Sequence, residues 1–157
     1  MHKILFLSVA AALFSGCINI PNTKFPEASA NFSPKRNYSV PLATACAKVE
    51  RTLDDARIPI VSQNKSDSST RIQTDYVSGQ SQLILGGLVA SQSTRYRYQV
   101  TLRPTDEKTT AINVVCNVES TMKGHSGASP WTDVSSQNAK VIANLETWLY
   151  EQIEKNL

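Results

Sequence analysis

Three stretches of the chain alternate apolar and polar residues with a period of two, and this alternation limits the possible folds more than any other feature. Ile72, Thr74 and Tyr76 share one side of the first stretch. Tyr96, Tyr98, Val100 and Leu102 share one side of the second, and Ile112, Val114, Cys116 and Val118 one side of the third. Successive side chains of a strand point to opposite faces, so each stretch reads as a strand with one face on a core and the other in water. Pro104, Thr105, Asp106, Glu107 and Lys108 form a short polar turn between the second and third, which makes those two antiparallel neighbours.

The period changes on either side of these strands. From Leu42 the apolar residues fall at Leu42, Cys46, Val49, Leu53 and Ala56, one helical stripe, while Lys48, Arg51, Asp54 and Asp55 lie off it and Pro59 ends the pattern. A last helix begins near Ser135, capped by Ser135 or Ser136. Its stripe is Val141 or Ile142, Leu145, Trp148 or Leu149, and Ile153. A short strand within 36–40 feeds the first helix, and Ile58 to Gln63 is extended before the turn-rich residues 64–69. The order strand, helix, four strands, helix predicts an α+β two-layer sandwich. An antiparallel sheet of about five strands carries both helices on one face, in a domain spanning residues 36–157.

The start of the chain has a different character. Lys3 precedes an apolar run from Ile4 to Phe14 broken only by Ser8, the basic and apolar regions of a secretory leader, and too short to cross a membrane as a mature helix. The run ends Leu13, Phe14, Ser15, Gly16, Cys17, which resembles the bacterial lipobox, with Phe14 where that motif usually has Leu. The resemblance implies a signal peptide over residues 1–16 and lipidation of Cys17. Two or three acyl chains, each CH₂ contributing about 0.8 kcal/mol on burial, would make attachment effectively permanent. Ile18 rather than Asp after the cysteine implies export to the outer membrane, facing the periplasm. Pro21, Pro26 and Pro34 among Asn, Ser, Thr and Lys mark residues 17–35 as the lipidated cysteine and a tether without helical or alternating period.

Taken together, Cys17, the Pro-containing tether, the strand Arg71, Ile72, Gln73, Thr74, Asp75, Tyr76 and the strand Arg95, Tyr96, Arg97, Tyr98, Gln99, Val100 resemble the helix-grip domains of the BamC (NlpB) lipoproteins of the outer-membrane β-barrel assembly machinery. The likeness covers one domain where those lipoproteins carry two. It implies a non-enzymatic accessory or scaffold role in cell-envelope assembly, with an envelope protein as partner.

Composition excludes other classes. Sixteen Lys and Arg against thirteen Asp and Glu give +3, too mild for a nucleic-acid binder. After the leader, His125 is the one histidine left, which rules out a multi-histidine metal site within one chain, and no cofactor motif is present. Gly86 and Gly87 lack the following Lys and Ser/Thr of a phosphate loop. Cys46 and Cys116 both fall on core-facing positions and either bridge helix to sheet or pack as two separate thiols. A bridge over a loop of about 70 residues would contribute roughly 4 kcal/mol. Neither thiol is placed with His125 as an activated nucleophile, so an enzyme is not expected.

Two surfaces remain as candidate contacts. Arg95, Arg97, Gln99, Thr101 and Arg103 form a basic row opposite the core side of their strand, available to a partner or paired across the sheet with Asp75 and Glu119. Residues 79–93 hold Leu83, Ile84, Leu85, Leu88 and Val89 around the two glycines, an unusually long apolar connection. It reads as an exposed contact element, or as a hairpin extension or short helix folded back on the sheet. Trp131, among turn residues, plugs the core edge or anchors a partner, the plug being preferred. The alternative function is a periplasmic module binding a lipid or other small apolar ligand, whose sign would be a pocket lined by Tyr96, Tyr98 and Trp148.

Overall fold

The computed structural model describes residues 37–157 apart from 86–87 and 125–126, so the leader, Cys17, the tether, the glycine pair and His125 lie outside the described residues. The elements are β1 (Asn37–Tyr38), α1 (Leu42–Asp55), β2 (Ile60–Ser66), β3 (Ser69–Thr74), β4 (Val77–Leu85), β5 (Leu88–Pro104), β6 (Thr110–Gly124), β7 (Gly127–Ala128), β8 (Thr132–Asp133) and α2 (Ala139–Asn156). The architecture is the two-layer α+β sandwich that the periodicities predict. Its sheet is larger than about five strands. Eight strands pair antiparallel in the order β1-β6-β5-β3-β2, with β4 on β5 and with β7 and β8 on β6.

One extra strand, β4, comes from the stretch 79–93, which pairs with the start of β5 as a hairpin, and the other two, β7 and β8, come from residues 127–133. β4 and β5 pair from Val77↔Tyr96 out to Leu85↔Leu88, and β5 runs for 17 residues. Leu, Ile and Val favour the pleated surface, and a glycine pair at the centre of such a run is a strand–turn–strand signature.

The inward face of the sheet holds Ile72, Tyr96, Tyr98, Val100, Leu102, Ile112, Val114, Cys116 and Val118, all buried against α1 and α2. From α1 come Ala45, Cys46, Val49 and Leu53, and from α2 come Leu145, Leu149, Tyr150 and Ile153. Tyr98 is wholly buried, donates its hydroxyl to the carbonyl of Leu145 at 3.1 Å, and meets the edge of Tyr96 at 5.6 Å between ring centres. The two rings therefore pack into the core, and neither lines any of the depressions formed by the described residues alone. α1 stops before Pro59 is reached. The amide of Ile58 bonds Leu53 O and that of Arg57 bonds Asp54 O, with Arg57 at φ 57°, a left-handed close that buries Ile58 on Leu53.

The start of α2 differs from the expected Ser cap. A 3₁₀ turn occupies Ser135–Gln137 and the helix begins at Ala139. The Ser135 hydroxyl is engaged elsewhere, accepting from the amide of Val118 at 3.0 Å. Along the same strand, Cys116 donates its amide to the Glu146 carboxylate and Val114 to the Tyr150 hydroxyl, each at 2.9 Å, and that hydroxyl donates to Ile112 O. Alternate backbone groups of β6, between its pairings with β1 and β8, are thus satisfied by side chains from α2 and the turn before it.

Cys46 and Cys116 are both buried and both free thiols, so the bridge weighed from the sequence is not formed. Cys46 sits under α1 in a groove with Lys65, Ser66 and Thr70 of β2 and β3, whereas Cys116 lies on β6 behind Glu146 of α2. Burial pushes the Cys116 thiol well above its ordinary range and the Glu146 carboxylate adds to the shift, so it behaves as a small apolar group.

One irregularity in the sheet decides which residues reach its outer face. Gln73 pairs Gln99 and Val77 pairs Tyr96, so residues 74–76 face only residues 97–98 of β5, a one-residue bulge. Thr74 compensates the lost ladder bond by accepting from the Tyr98 amide at 2.9 Å. Tyr76, expected beside Ile72 and Thr74 on the core side, is turned to the opposite face.

Candidate functional site: the outer face of the sheet

Both helices cover one side of the sheet, and the other side presents Arg71, Arg95, Arg97, Gln99, Thr101 and Arg103, as the alternation predicts. Arg95, Arg97, Gln99, Thr101 and Arg103 stand opposite Glu119, Asn117, Val115, Asn113 and Ala111 of β6, and Arg71 stands opposite Thr101. Val115, in the middle of this surface, is 39 % exposed, so the face is wet.

At one end the side chains form a single cluster. Arg95 donates from Nε at 2.8 Å and from a terminal nitrogen at 2.6 Å to the same oxygen of Glu119, while Tyr76 donates its hydroxyl to the other oxygen at 2.6 Å. The guanidinium of Arg95 lies 3.9 Å from the centre of the Tyr76 ring and 4.1 Å from that of Trp131, and Arg97 lies 4.8 Å above Tyr76. Such stacked cations contribute about 0.5–1 kcal/mol each at partly exposed sites. The bulge supplies Tyr76. β8 supplies Trp131, because Asp133 pairs Glu119 and carries the preceding tryptophan onto the same face.

Electrostatics follow from these contacts. Burial alone would raise the Glu119 carboxyl, but the bonds from Tyr76 and Arg95 and the charges of Arg95 and Arg97 outweigh it and hold it below the ordinary value of 4.5. The stability it adds is complete above that value and is lost as the pH falls through the lowered folded value. Asp133, lowered by its bonds with Ser135, titrates with the same sign. Urea midpoints measured from pH 6 down to pH 2 should therefore decline in the acid limb. Glu119→Gln should flatten part of that decline, and a variant whose curve keeps the wild-type slope would refute this account of the cluster.

The structure divides the sequence candidates into groups. Arg95 is committed to Glu119, the pairing weighed against a partner role, whereas Asp75 takes no part and accepts from the Tyr76 amide. Arg97 and Arg103 stand on the outer face, with no ion pair among the described residues. Leu83, Ile84, Leu85, Leu88 and Val89 pair as strand residues on the β4–β5 hairpin, and the surroundings of their side chains lie outside the described residues. Trp131 does not plug the core edge as preferred from the sequence. It is 38 % exposed and covers Arg95, because β8 brings it to the outer face. Sequence reasoning missed Tyr76 and Arg71 as members of this face. An arginine at an alternating outward position was signal enough for the second, but nothing local signalled the bulge. Among the described residues no group of three or more His, Cys, Asp or Glu is placed to hold a metal ion. No protein-family model matches the chain, and no curated protein matches it significantly in sequence.

Proposed function

We propose that the chain is a non-enzymatic lipoprotein, anchored through Cys17 in the outer membrane and facing the periplasm. It acts as an accessory or scaffold in cell-envelope assembly, of the kind that builds β-barrels or secretion machinery. The lipobox-like Leu13–Cys17 segment and the resemblance to BamC-type helix-grip domains support the place and the class of role. The observation that carries the contact surface is the outer sheet face. It is turned away from both helices, and it sets an exposed Trp131 on Arg95 and Arg97 on Tyr76, over a foundation fixed by the bonds of Arg95 and Tyr76 to Glu119. Tryptophan and arginine anchored in this way are the side chains that most often dominate binding energy at protein interfaces. The Arg95 cluster then serves as the rigid support, and Arg97 and Trp131 make the contact.

In-cell crosslinking followed by recovery of the lipidated protein tests the proposal. Wild type should bring down one defined envelope protein, and an Arg97→Glu, Trp131→Ala chain should lose it while still unfolding cooperatively, its thermal midpoint lowered only by the several degrees that the lost stacking accounts for. Cys17→Ser should release the chain from the membrane fraction. Recovery of lipid or a small molecule without protein would overturn the scaffold role in favour of a binding module.

A further inference from the structure

At the other end of the outer face, away from Trp131, the register brings two arginines together around one threonine. Arg71 of β3 stands directly opposite Thr101 of β5, and Arg103 lies two residues further along β5 on the same side. Asn64 pairs Arg71 across β2, and Ser66 and Ser69 close the β2–β3 turn. These six residues line a depression of about 180 Å³. It adjoins a second, of about 460 Å³, that shares Thr101 and Arg103 and continues over Asn37, Ala111 and Asn113.

The chemistry of this lining is one-sided. Two guanidiniums, a threonine hydroxyl and an amide line it together with the Ser66 and Ser69 hydroxyls, which bond each other in the turn, and no carboxylate is among its described lining residues. The ion pairs among the described residues are Arg51–Asp55, Lys65–Glu50 and Arg95–Glu119, so neither Arg71 nor Arg103 meets an acidic partner among them. Arginine's planar fork of donors matches the oxygens of a phosphate group, and hydroxyl and amide donors complete such a site.

We infer that this depression binds a phosphate group, supplied by the headgroup of an anionic phospholipid. The inference stands on the lining residues and not on the scaffold reading, whose contacts lie at the Trp131 end. A lipid phosphate held here would bring this end of the sheet face against the bilayer surface, where each arginine adds to the attraction for anionic headgroups, and leave the Trp131 end for the partner.

The test measures binding of the full chain carrying Cys17→Ser to vesicles of phosphatidylglycerol at low ionic strength, with phosphatidylcholine vesicles as reference. Arg71→Gln with Arg103→Gln should weaken binding to phosphatidylglycerol by roughly 30-fold. Lys140→Gln with Lys155→Gln, which removes the same charge from α2, should leave it nearly unchanged. Inorganic phosphate should compete more strongly than chloride at equal ionic strength. Equal losses in the arginine and lysine variants, or none in the arginine variant, would overturn the site. Competition by inorganic phosphate without any vesicle binding would keep the phosphate site and overturn the lipid as its source. Loss of vesicle binding with the envelope partner still recovered in cells would separate this site from the contact surface proposed above.

Discussion

Replacing Tyr98 with alanine is expected to lower the free energy of unfolding by about 3–5 kcal/mol, the usual cost of removing a large aromatic ring from a packed core. Tyr98 is wholly buried beneath α2 and packs edge-on against Tyr96, so the cavity would open where sheet and helix meet. That is a large share of the roughly 5–15 kcal/mol by which a domain is stable. Tyr98→Phe should cost only about 0.5–1.5 kcal/mol. Its hydroxyl donates to Leu145 O, a carbonyl inside α2 that also faces the helix's own bonding ladder. Urea titrations followed by far-ultraviolet circular dichroism would separate the two. Similar midpoints for the alanine and phenylalanine variants would refute the packing role.

Tyr150→Phe should cost more than Tyr98→Phe, although the chemical change is the same. The Tyr150 hydroxyl accepts from Val114 N at 2.9 Å and donates to Ile112 O at 3.2 Å, so its removal strands a donor and an acceptor of β6 at once. A buried backbone group left without a partner costs about 1–3 kcal/mol. Native-state hydrogen exchange should show the effect locally, with the Val114 amide losing protection while Tyr98, bonded to Thr74, keeps its own. Unchanged protection at Val114 would show that water or a shifted side chain replaces the hydroxyl.

The strand faces, both helix stripes and the two-layer arrangement were legible because each depends on a local period that burial enforces. Val49, Leu53, Leu145, Leu149 and Ile153 are all buried as the stripes require, and the outward row from Arg95 to Arg103 holds throughout. What escaped depends on relations between distant residues. The bulge that turns Tyr76 outward is set by the pairings of β3 and β4 with β5, not by anything in residues 74–76 themselves. The partners of the β6 amides, Glu146 and Tyr150, come from a helix some 30 to 36 residues downstream and looked like ordinary off-stripe positions. The register that joins Arg71 to Arg103 is likewise written in no single segment, although each arginine sits at a readable outward position.

The side-chain closure of β6 has a consequence for what copies of this protein can build together. Strands add to one another through unpaired edges, and growth without end requires two such edges per molecule. Here the β6 side is occupied by Ser135, Glu146 and Tyr150 between the pairings with β1 and β8. β2 and β4 lie together on the far side of the sheet, and no further strand pairs with them among the described residues. The edge left on the β6 side is cut down to the two-residue strands β1, β7 and β8, too short to template a long partner strand, so edge-to-edge association favours the far sides of two copies over an open-ended fibre.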